Sequence, residues 1–116
     1  MNTKKYSQKH ENKVAKLIQQ IDESFYRVNN SGAPDFKCGD GVGEVVLVEC
    51  KTLTEPQKQQ TIKKETLEKV AEEAYTKNID MGVTVINFGD IEGTEYFIVE
   101  DTDFLNLLYY YMEGER

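Results

Sequence analysis

The chain has 116 residues, of which 39% are hydrophobic and 30% charged, and its formal net charge is −7. This length predicts one domain, residues 1–116, with a single modest core. No apolar stretch approaches the roughly 20 residues that span a bilayer, and the charged start lacks the apolar segment of a secretory signal, so we expect no membrane association. Two cysteines are too few for a disulfide framework, so we expect a reducing, cytoplasmic setting. They form no CxxC pattern, which argues against a zinc site.

The charge is unevenly distributed along the chain. Residues 90–116 carry eight acids and one base, so the first 89 residues are neutral overall, and the first twenty carry a charge of +4. A basic start and an acidic end predict a polarised surface with one side able to face nucleic acid. The alternative is that the N-terminal lysines form a solvated helix face.

A first helix is predicted from about Lys5 to Glu23, because Val14, Leu17, Ile18 and Ile21 recur at helical spacing. Glu11 falls at the edge of that apolar stripe, away from the lysines, and can therefore reach inward to a site. The alternative is that Glu11 stabilises the helix, because an acidic side chain near the N-terminus interacts favourably with the helix dipole.

Two carboxylates and an amine are expected at one end of a predicted hairpin. Asp35 follows Pro34, and the apolar run Val45–Val48 leads into Glu49, Cys50 and Lys51. In a strand, Glu49 and Lys51 point to the same side and Cys50 to the other. Mg²⁺, or Mn²⁺ in its place, binds one or two carboxylates together with water and phosphate oxygens. The pattern therefore predicts a divalent metal site, with Lys51 beside the bound water.

Pro34-Asp35 followed by Glu49-Cys50-Lys51 resembles the signature of the PD-(D/E)XK nucleases. Glu11 in a first helix and the polar segment Asn29–Gly32 with Ser31 are similar to features of the small Holliday-junction resolvases of that superfamily. The resemblance implies a Mg²⁺-dependent, structure-selective endonuclease that hydrolyses phosphodiester bonds in DNA, preferably branched DNA. It implies that Glu11, Asp35, Glu49 and Lys51 are catalytic, and that Glu11 and the backbone carbonyl of Cys50 complete the metal ligands.

The remaining pattern predicts an α/β fold with a mixed sheet of about five strands flanked by helices, as in restriction endonucleases. Strands are expected at residues 25–28, 83–88 and 96–99 beside the hairpin, whose loop is placed at residues 39–43. A capping-box pattern at Thr54–Gln57 indicates that a helix can start there. The clearer helix runs over residues 63–77 and stops near Asn78. The polar and basic side chains expected to contact DNA are Arg27, Ser31, Lys5, Lys9, Lys13, Lys58 and Lys63.

The last predicted helix, residues 101–113, has almost no polar face. A helix that is apolar on all sides near a chain end needs more cover than one small core provides, which predicts a homodimer formed through this helix. The alternative is a helix packed on the sheet of its own chain.

For function, the alternatives are a nuclease of the same fold acting on duplex, nicked or single-stranded DNA, and a non-catalytic interaction protein. An acidic mimic of DNA is disfavoured by the lysine-rich first helix.

Overall fold

A computed structural model describes residues 3–28 and 35–114. Three helices and five strands follow one another in the order α1 (Thr3–Gln19), β1 (Tyr26–Arg27), β2 (Gly41–Val42), β3 (Val46–Lys51), α2 (Lys64–Thr76), β4 (Met81–Ile86), β5 (Tyr96–Ile98) and α3 (Asp101–Gly114). The strands form one mixed sheet in the order β1-β2-β3-β4-β5. The predicted α/β class with five strands and flanking helices is confirmed. Within the described ranges, no helix is both long and apolar enough to cross a membrane.

The parallel pair β3 and β4 forms the centre of the sheet. Six rungs join these strands, from Val46 opposite Met81 to Lys51 opposite Ile86. All the other pairings are antiparallel. Parallel neighbours need a crossover connection, and α2 supplies it. The carboxyl ends of β3 and β4 therefore meet at the same edge of the sheet, and this edge carries Lys51.

The core has two halves, one on each face of the sheet. Side chains of α1 pack with alternate residues of β3 and β4 in a cluster of Val14, Ala15, Phe25, Val48, Val83 and Val85. Side chains of α2 pack on the opposite face in a cluster of Val28, Val42, Leu47, Val70 and Ala74. Burying each of these large aliphatic side chains contributes about 1.5–3 kcal/mol. This alternation decides on which face of β3 each of its functional side chains lies.

α2 lies unusually close to β4. A Cβ atom on Gly82 would overlap the backbone of Val70 and Ala71, so glycine is required there for the helix to approach the strand. After α2, Asn78 adopts a φ of 60°. Asparagine tolerates this left-handed conformation, which ends the helix as the sequence predicts.

The hairpin between β2 and β3 differs from the prediction. Residues 39–43 were expected to form its loop, whereas Gly41 and Val42 are strand residues that pair with Val48 and Leu47. The turn lies further on, where the amide of Gly43 donates to the carbonyl of Val46. A Cβ atom on Gly41 would overlap the ring of Phe25. This glycine therefore permits close packing in a strand instead of a tight turn.

The capping-box pattern at residues 54–57 does not start a helix, so that expectation is wrong. The amide of Gln57 donates to the carbonyl of Phe88, 2.9 Å away. The backbone of Glu55 and Pro56 packs against Gly89, whose φ is 86°. These tertiary contacts hold the segment in an extended conformation beside the end of β4, and α2 begins only at Lys64.

Candidate active site

Glu49 and Lys51 form an ion pair at the end of β3. The Nζ atom of Lys51 lies 2.9 Å from Oε1 of Glu49, and the exposed fractions of the two side chains are 42% and 13%. Because Leu47 packs toward α2, strand alternation places Glu49 and Lys51 on the same face, while Cys50 packs with the α1 side of the core. A partly buried carboxylate with an accessible amine beside it can bind a cation and an anion at the same place.

Asp40 is hydrogen-bonded to the backbone of β3 at the residues before and after Glu49. The antiparallel ladder pairs Gly41 with Val48. It continues with the amide of Asp40 donating to the carbonyl of Val48 at 2.7 Å. In addition, the amide of Cys50 donates to the side-chain atom Oδ2 of Asp40 at 2.8 Å. Asp40 was not among the predicted site residues, because sequence reasoning assigned it to the hairpin loop.

Asp35 precedes the hairpin and lies next to α2. It is exposed and lines a cavity of about 380 Å³ together with Cys38, Lys69, Glu73 and other residues of α2. Burial raises the pKa of the Cys38 thiol, and the negative charges of Glu73 and Glu49 add to that effect. Cys38 is therefore located between the cavity that Asp35 lines and the Glu49–Lys51 pair.

Glu73 on α2 holds the segment between Asp35 and Asp40. Its carboxylate accepts hydrogen bonds from the amides of Lys37, Cys38 and Gly39, at 2.6, 3.1 and 2.8 Å. Partial burial opposes ionisation of Glu73, but these donors outweigh it and lower the pKa of the carboxyl below its ordinary value. Glu73 therefore fixes the entry to β2 and, through it, the position of Asp40.

Glu11 lies on the α1 side of the sheet, where it is buried. Its carboxylate accepts a hydrogen bond from Arg27 at 2.9 Å in an ion pair. Glu11 and Arg27 line a narrow crevice together with Asp40 and Cys50. Burial raises the pKa of the Cys50 thiol, and the charges of Asp40 and Glu11 raise it further. Asp40 therefore lies beside Glu11 on the α1 side of the sheet, whereas the side chain of Glu49 lies on the α2 side.

The donor chemistry at this edge of the hairpin fits Mg²⁺ without a preformed cage. Throughout residues 3–28 and 35–114, no three His, Cys, Asp or Glu side chains form a group that could hold a metal ion. Mg²⁺, however, usually takes one or two carboxylates and completes its shell with water and substrate phosphate. Glu49 supplies one carboxylate, and Asp35 or Asp40 on the preceding segment can supply a second. The backbone carbonyl of Cys50 lies between Glu49 and Lys51 in sequence.

A cleft of about 480 Å³ adjoins Lys51. It runs along the polar segment after β3 to the start of α2, and its lining includes Gln57, Gln60, Lys63 and Thr66. The Oε1 atom of Gln60 is buried without a hydrogen-bond partner among the described residues. The polar segment after β3 therefore lines a cleft that adjoins Lys51.

The basic residues predicted to contact DNA divide into two groups. Arg27 donates to both Glu11 and Asn12, and Lys13 pairs with Glu95 at 2.9 Å, so the charges of these two residues are used within the fold. Lys5, Lys9, Lys58 and Lys63 are exposed, and Lys63 lines the cleft beside Lys51. Ser31 and Pro34 lie outside the described residues.

A buried polar network beside Lys51 was not predicted. His10 is fully buried, with Nδ1 2.9 Å from the hydroxyl of Thr52 and Nε2 2.6 Å from Oε1 of Glu95. The other carboxylate oxygen of Glu95 accepts from Lys13 and from Asn87, and Lys13 also donates to the carbonyl of Gly93. Thr52 and Asn87 directly follow β3 and β4. The network therefore joins α1 to the sheet edge that carries Lys51.

Comparison with protein-family models, with curated proteins and with solved structures finds no match to this chain. The fold and the site geometry are therefore the basis for a proposal about function.

Proposed function

We propose that the protein is a Mg²⁺-dependent endonuclease that hydrolyses phosphodiester bonds in DNA. The observation that carries this proposal is the end of β3, where Lys51 lies 2.9 Å from Glu49 and the amide of Cys50, between them in sequence, donates to Asp40. Two carboxylates and one amine are the residue types that this reaction needs. The resemblance to the PD-(D/E)XK signature supports the same activity.

Glu49 would hold the metal together with one aspartate of the preceding segment, Asp35 or Asp40, and with the carbonyl of Cys50 as a further ligand. When bound, Mg²⁺ stabilises negative charge on the phosphate and makes an attacking water more acidic. Hydrolysis joins the water oxygen to phosphorus and releases the sugar oxygen. Lys51 donates to a phosphate oxygen and stabilises the charge that develops in the transition state. Glu11, through its ion pair with Arg27, holds the crevice around Asp40 and acts as a positioning residue.

Asp35 remains a candidate for the metal-binding carboxylate, as the motif spacing predicts. Asp40 is the other candidate, because its carboxylate accepts from the amide of Cys50 next to Glu49, although it lines the crevice on the α1 side of the sheet. Asp35 instead shares a cavity with α2. The two aspartates therefore give a direct test within one chain.

For the substrate we propose branched DNA, with a four-way junction as the reference case. Such a junction has two-fold symmetry, which requires two active sites in a symmetric homodimer. The cleft from Lys51 to Lys63 would hold the strand that is cut, and the exposed Lys58 and Lys9 would contact flanking phosphates.

Cys38 and Cys50 are both free thiols. We propose a cytoplasmic setting, in which they stay reduced.

The test is cleavage of labelled four-way junction, linear duplex and single-stranded DNA, with Mg²⁺ or with EDTA. Glu49→Gln and Lys51→Ala should each reduce the rate by at least about 100-fold while DNA binding is retained. Of Asp35→Asn and Asp40→Asn, the change at the metal-binding aspartate should reduce the rate as strongly, and the other change should have a much smaller effect. Glu68→Gln, an exposed acid on α2, is the matched control.

Each outcome has a definite meaning. Loss of cleavage in Asp35→Asn with full activity in Asp40→Asn would identify Asp35 as the metal-binding aspartate, and the reverse result would identify Asp40. Cleavage of linear DNA at the same rate as junctions would favour a nuclease of broader substrate range. No Mg²⁺-dependent cleavage of any substrate by the wild-type protein would reject the proposal and favour a non-catalytic interaction protein, for which the exposed apolar α3 provides a surface.

A further inference from the structure

α3 differs from the other two helices of this fold, because none of its residues is buried. The large apolar side chains of α3 are between 41% and 71% exposed, and they are Phe104, Leu105, Leu107, Leu108, Tyr109, Tyr110, Tyr111 and Met112. Their aromatic members alone expose on the order of 500 Å² per chain, taking about 200 Å² for each complete side chain. A monomer rarely exposes a continuous apolar patch of this size without an interaction partner.

The same chain carries an apolar groove of about 500 Å³ on the α1 face of the sheet. Its walls come from the end of α1, the starts of β3 and β4, and β5. They include Ile21, Val45, Met81, Phe97, Val99 and Leu107, and the charged residue among its lining is Asp22. Ile21 is 93% exposed, although isoleucine is among the residues most often buried in proteins. The groove thus lacks a cover in one copy of the chain.

The position of α3 relative to this groove suggests how both surfaces are covered. α3 starts three residues after β5, and β5 runs antiparallel to β4, so the helix begins at the groove end of the sheet. Leu107 lines one wall of its own groove. At about 100° per residue, Leu105, Tyr109 and Met112 lie on the side of the helix roughly opposite Leu107. This second apolar side cannot enter the groove of its own chain while Leu107 contacts it.

We infer that two copies of the chain pair by reciprocal insertion, with the Leu105–Tyr109–Met112 side of each α3 in the groove of the other copy. A two-fold dimer of this kind makes the same contact twice, and each contact covers one groove and one helix side. Each inserted side exposes on the order of 300 Å² and covers a comparable area of groove, so the two contacts together bury about 1,200 Å², which is at the lower end of the range for stable interfaces. The inference details the proposed homodimer, and it is independent of DNA cleavage.

The experiment measures the mass of the full chain by light scattering over a range of concentrations. The wild-type protein should have about twice the chain mass of 13.3 kDa. Ile21→Glu introduces a charge in the groove, and Leu105→Glu introduces one on the inserted side of α3. Both positions are exposed in the single chain, so each variant should fold normally but shift the dimer dissociation constant upward by at least about 100-fold. Tyr75→Glu, at a position 84% exposed on α2, is the control and should stay dimeric.

Mixing the two variants separates insertion from simple helix pairing. The Ile21→Glu chain has an intact α3, and the Leu105→Glu chain has an intact groove, so an equal mixture should form a heterodimer with one good contact. Its affinity should lie between those of the wild type and the single variants. A wild-type monomer at all concentrations would overturn the inference. So would an Ile21→Glu protein that dimerises like the wild type, because the interface would then be α3 against α3 alone.

Discussion

The Nε2 atom of His10 lies 2.6 Å from Oε1 of Glu95, although the two residues are 85 positions apart in the chain. Glu95 also accepts hydrogen bonds from Lys13 and Asn87, and its side chain is only 2% exposed. A carboxylate this buried is tolerated because three donors compensate for lost hydration. The contact fixes α1 to the segment before β5, next to the sheet edge that carries Lys51.

Removing the Glu95 carboxylate should destabilise the protein strongly. Glu95→Ala leaves His10 and Lys13 without their shared acceptor, and breaking a buried ion pair costs about 3–5 kcal/mol. We expect the free energy of unfolding, measured by urea denaturation, to fall by about 3 kcal/mol or more. Glu92→Ala, in the same loop but exposed, should change it by less than about 0.5 kcal/mol. Equal effects of the two substitutions would contradict the role given to the network.

Glu95 should also contribute to the acid sensitivity of the fold. Burial opposes its ionisation, but hydrogen bonds from Asn87, Lys13 and His10 lower the pKa of the carboxyl below its ordinary value of 4.5. A lowered pKa in the folded state adds stability above the unfolded-state pKa, and that stability is lost as the pH falls through the folded-state pKa. Between about pH 6 and pH 3, the unfolding free energy of Glu95→Gln should therefore decline less steeply than that of the wild type. Parallel pH profiles would contradict this assignment.

Glu73→Gln should loosen the segment that leads into β2. A neutral amide is a weaker acceptor than a carboxylate for the amides of Lys37, Cys38 and Gly39, so the unfolding free energy should fall by about 1–3 kcal/mol. Hydrogen exchange at these three amides should speed up more than exchange elsewhere in the sheet. Glu72→Gln, on the exposed neighbouring position of α2, is the control. Unchanged exchange in Glu73→Gln would show that other contacts hold the segment.

Gly82→Ala should be among the most damaging single-methyl additions in this chain. The added Cβ would meet the backbone of α2 at Val70, which cannot move aside as a flexible side chain can. Overpacking of this kind costs about 1–3 kcal/mol, and we expect the upper end, read as a lower midpoint in thermal unfolding. Gly114→Ala, which meets nothing within 4 Å at the end of α3, should leave the midpoint unchanged or raise it slightly.

Much of the fold could be predicted from periodicity because the long elements have one clear pattern each. α2, β4 and β5 begin and end within about two residues of their predicted positions. The hairpin was misplaced because glycine has two uses, and only the packing of Gly41 against Phe25 shows which one applies. The helix expected at residues 54–57 was wrong because its local capping signal is overridden by contacts with Phe88 and Gly89.

The site could be predicted only as far as local sequence determines it. Strand alternation alone places Glu49 beside Lys51, so that pair was accessible to reasoning from the sequence. Asp40 depends on the hairpin register, which the sequence pattern set incorrectly. The ion pair of Arg27 with Glu11 and the contact of His10 with Glu95 join residues far apart in the chain, and no local pattern encodes such partners.

The parallel ladder between β3 and β4 has a consequence for how the chain acquires its structure during synthesis. Each rung joins residues 35 positions apart, and β4 supplies Val83, Thr84 and Val85, all nearly inaccessible to solvent. A nascent chain that has emerged only as far as α2 therefore has α1, both hairpin strands and α2, but no strand to cover either half of its core. We expect such an intermediate to expose apolar surface until residue 86 leaves the ribosome, so that folding of the N-terminal half waits for the arrival of β4.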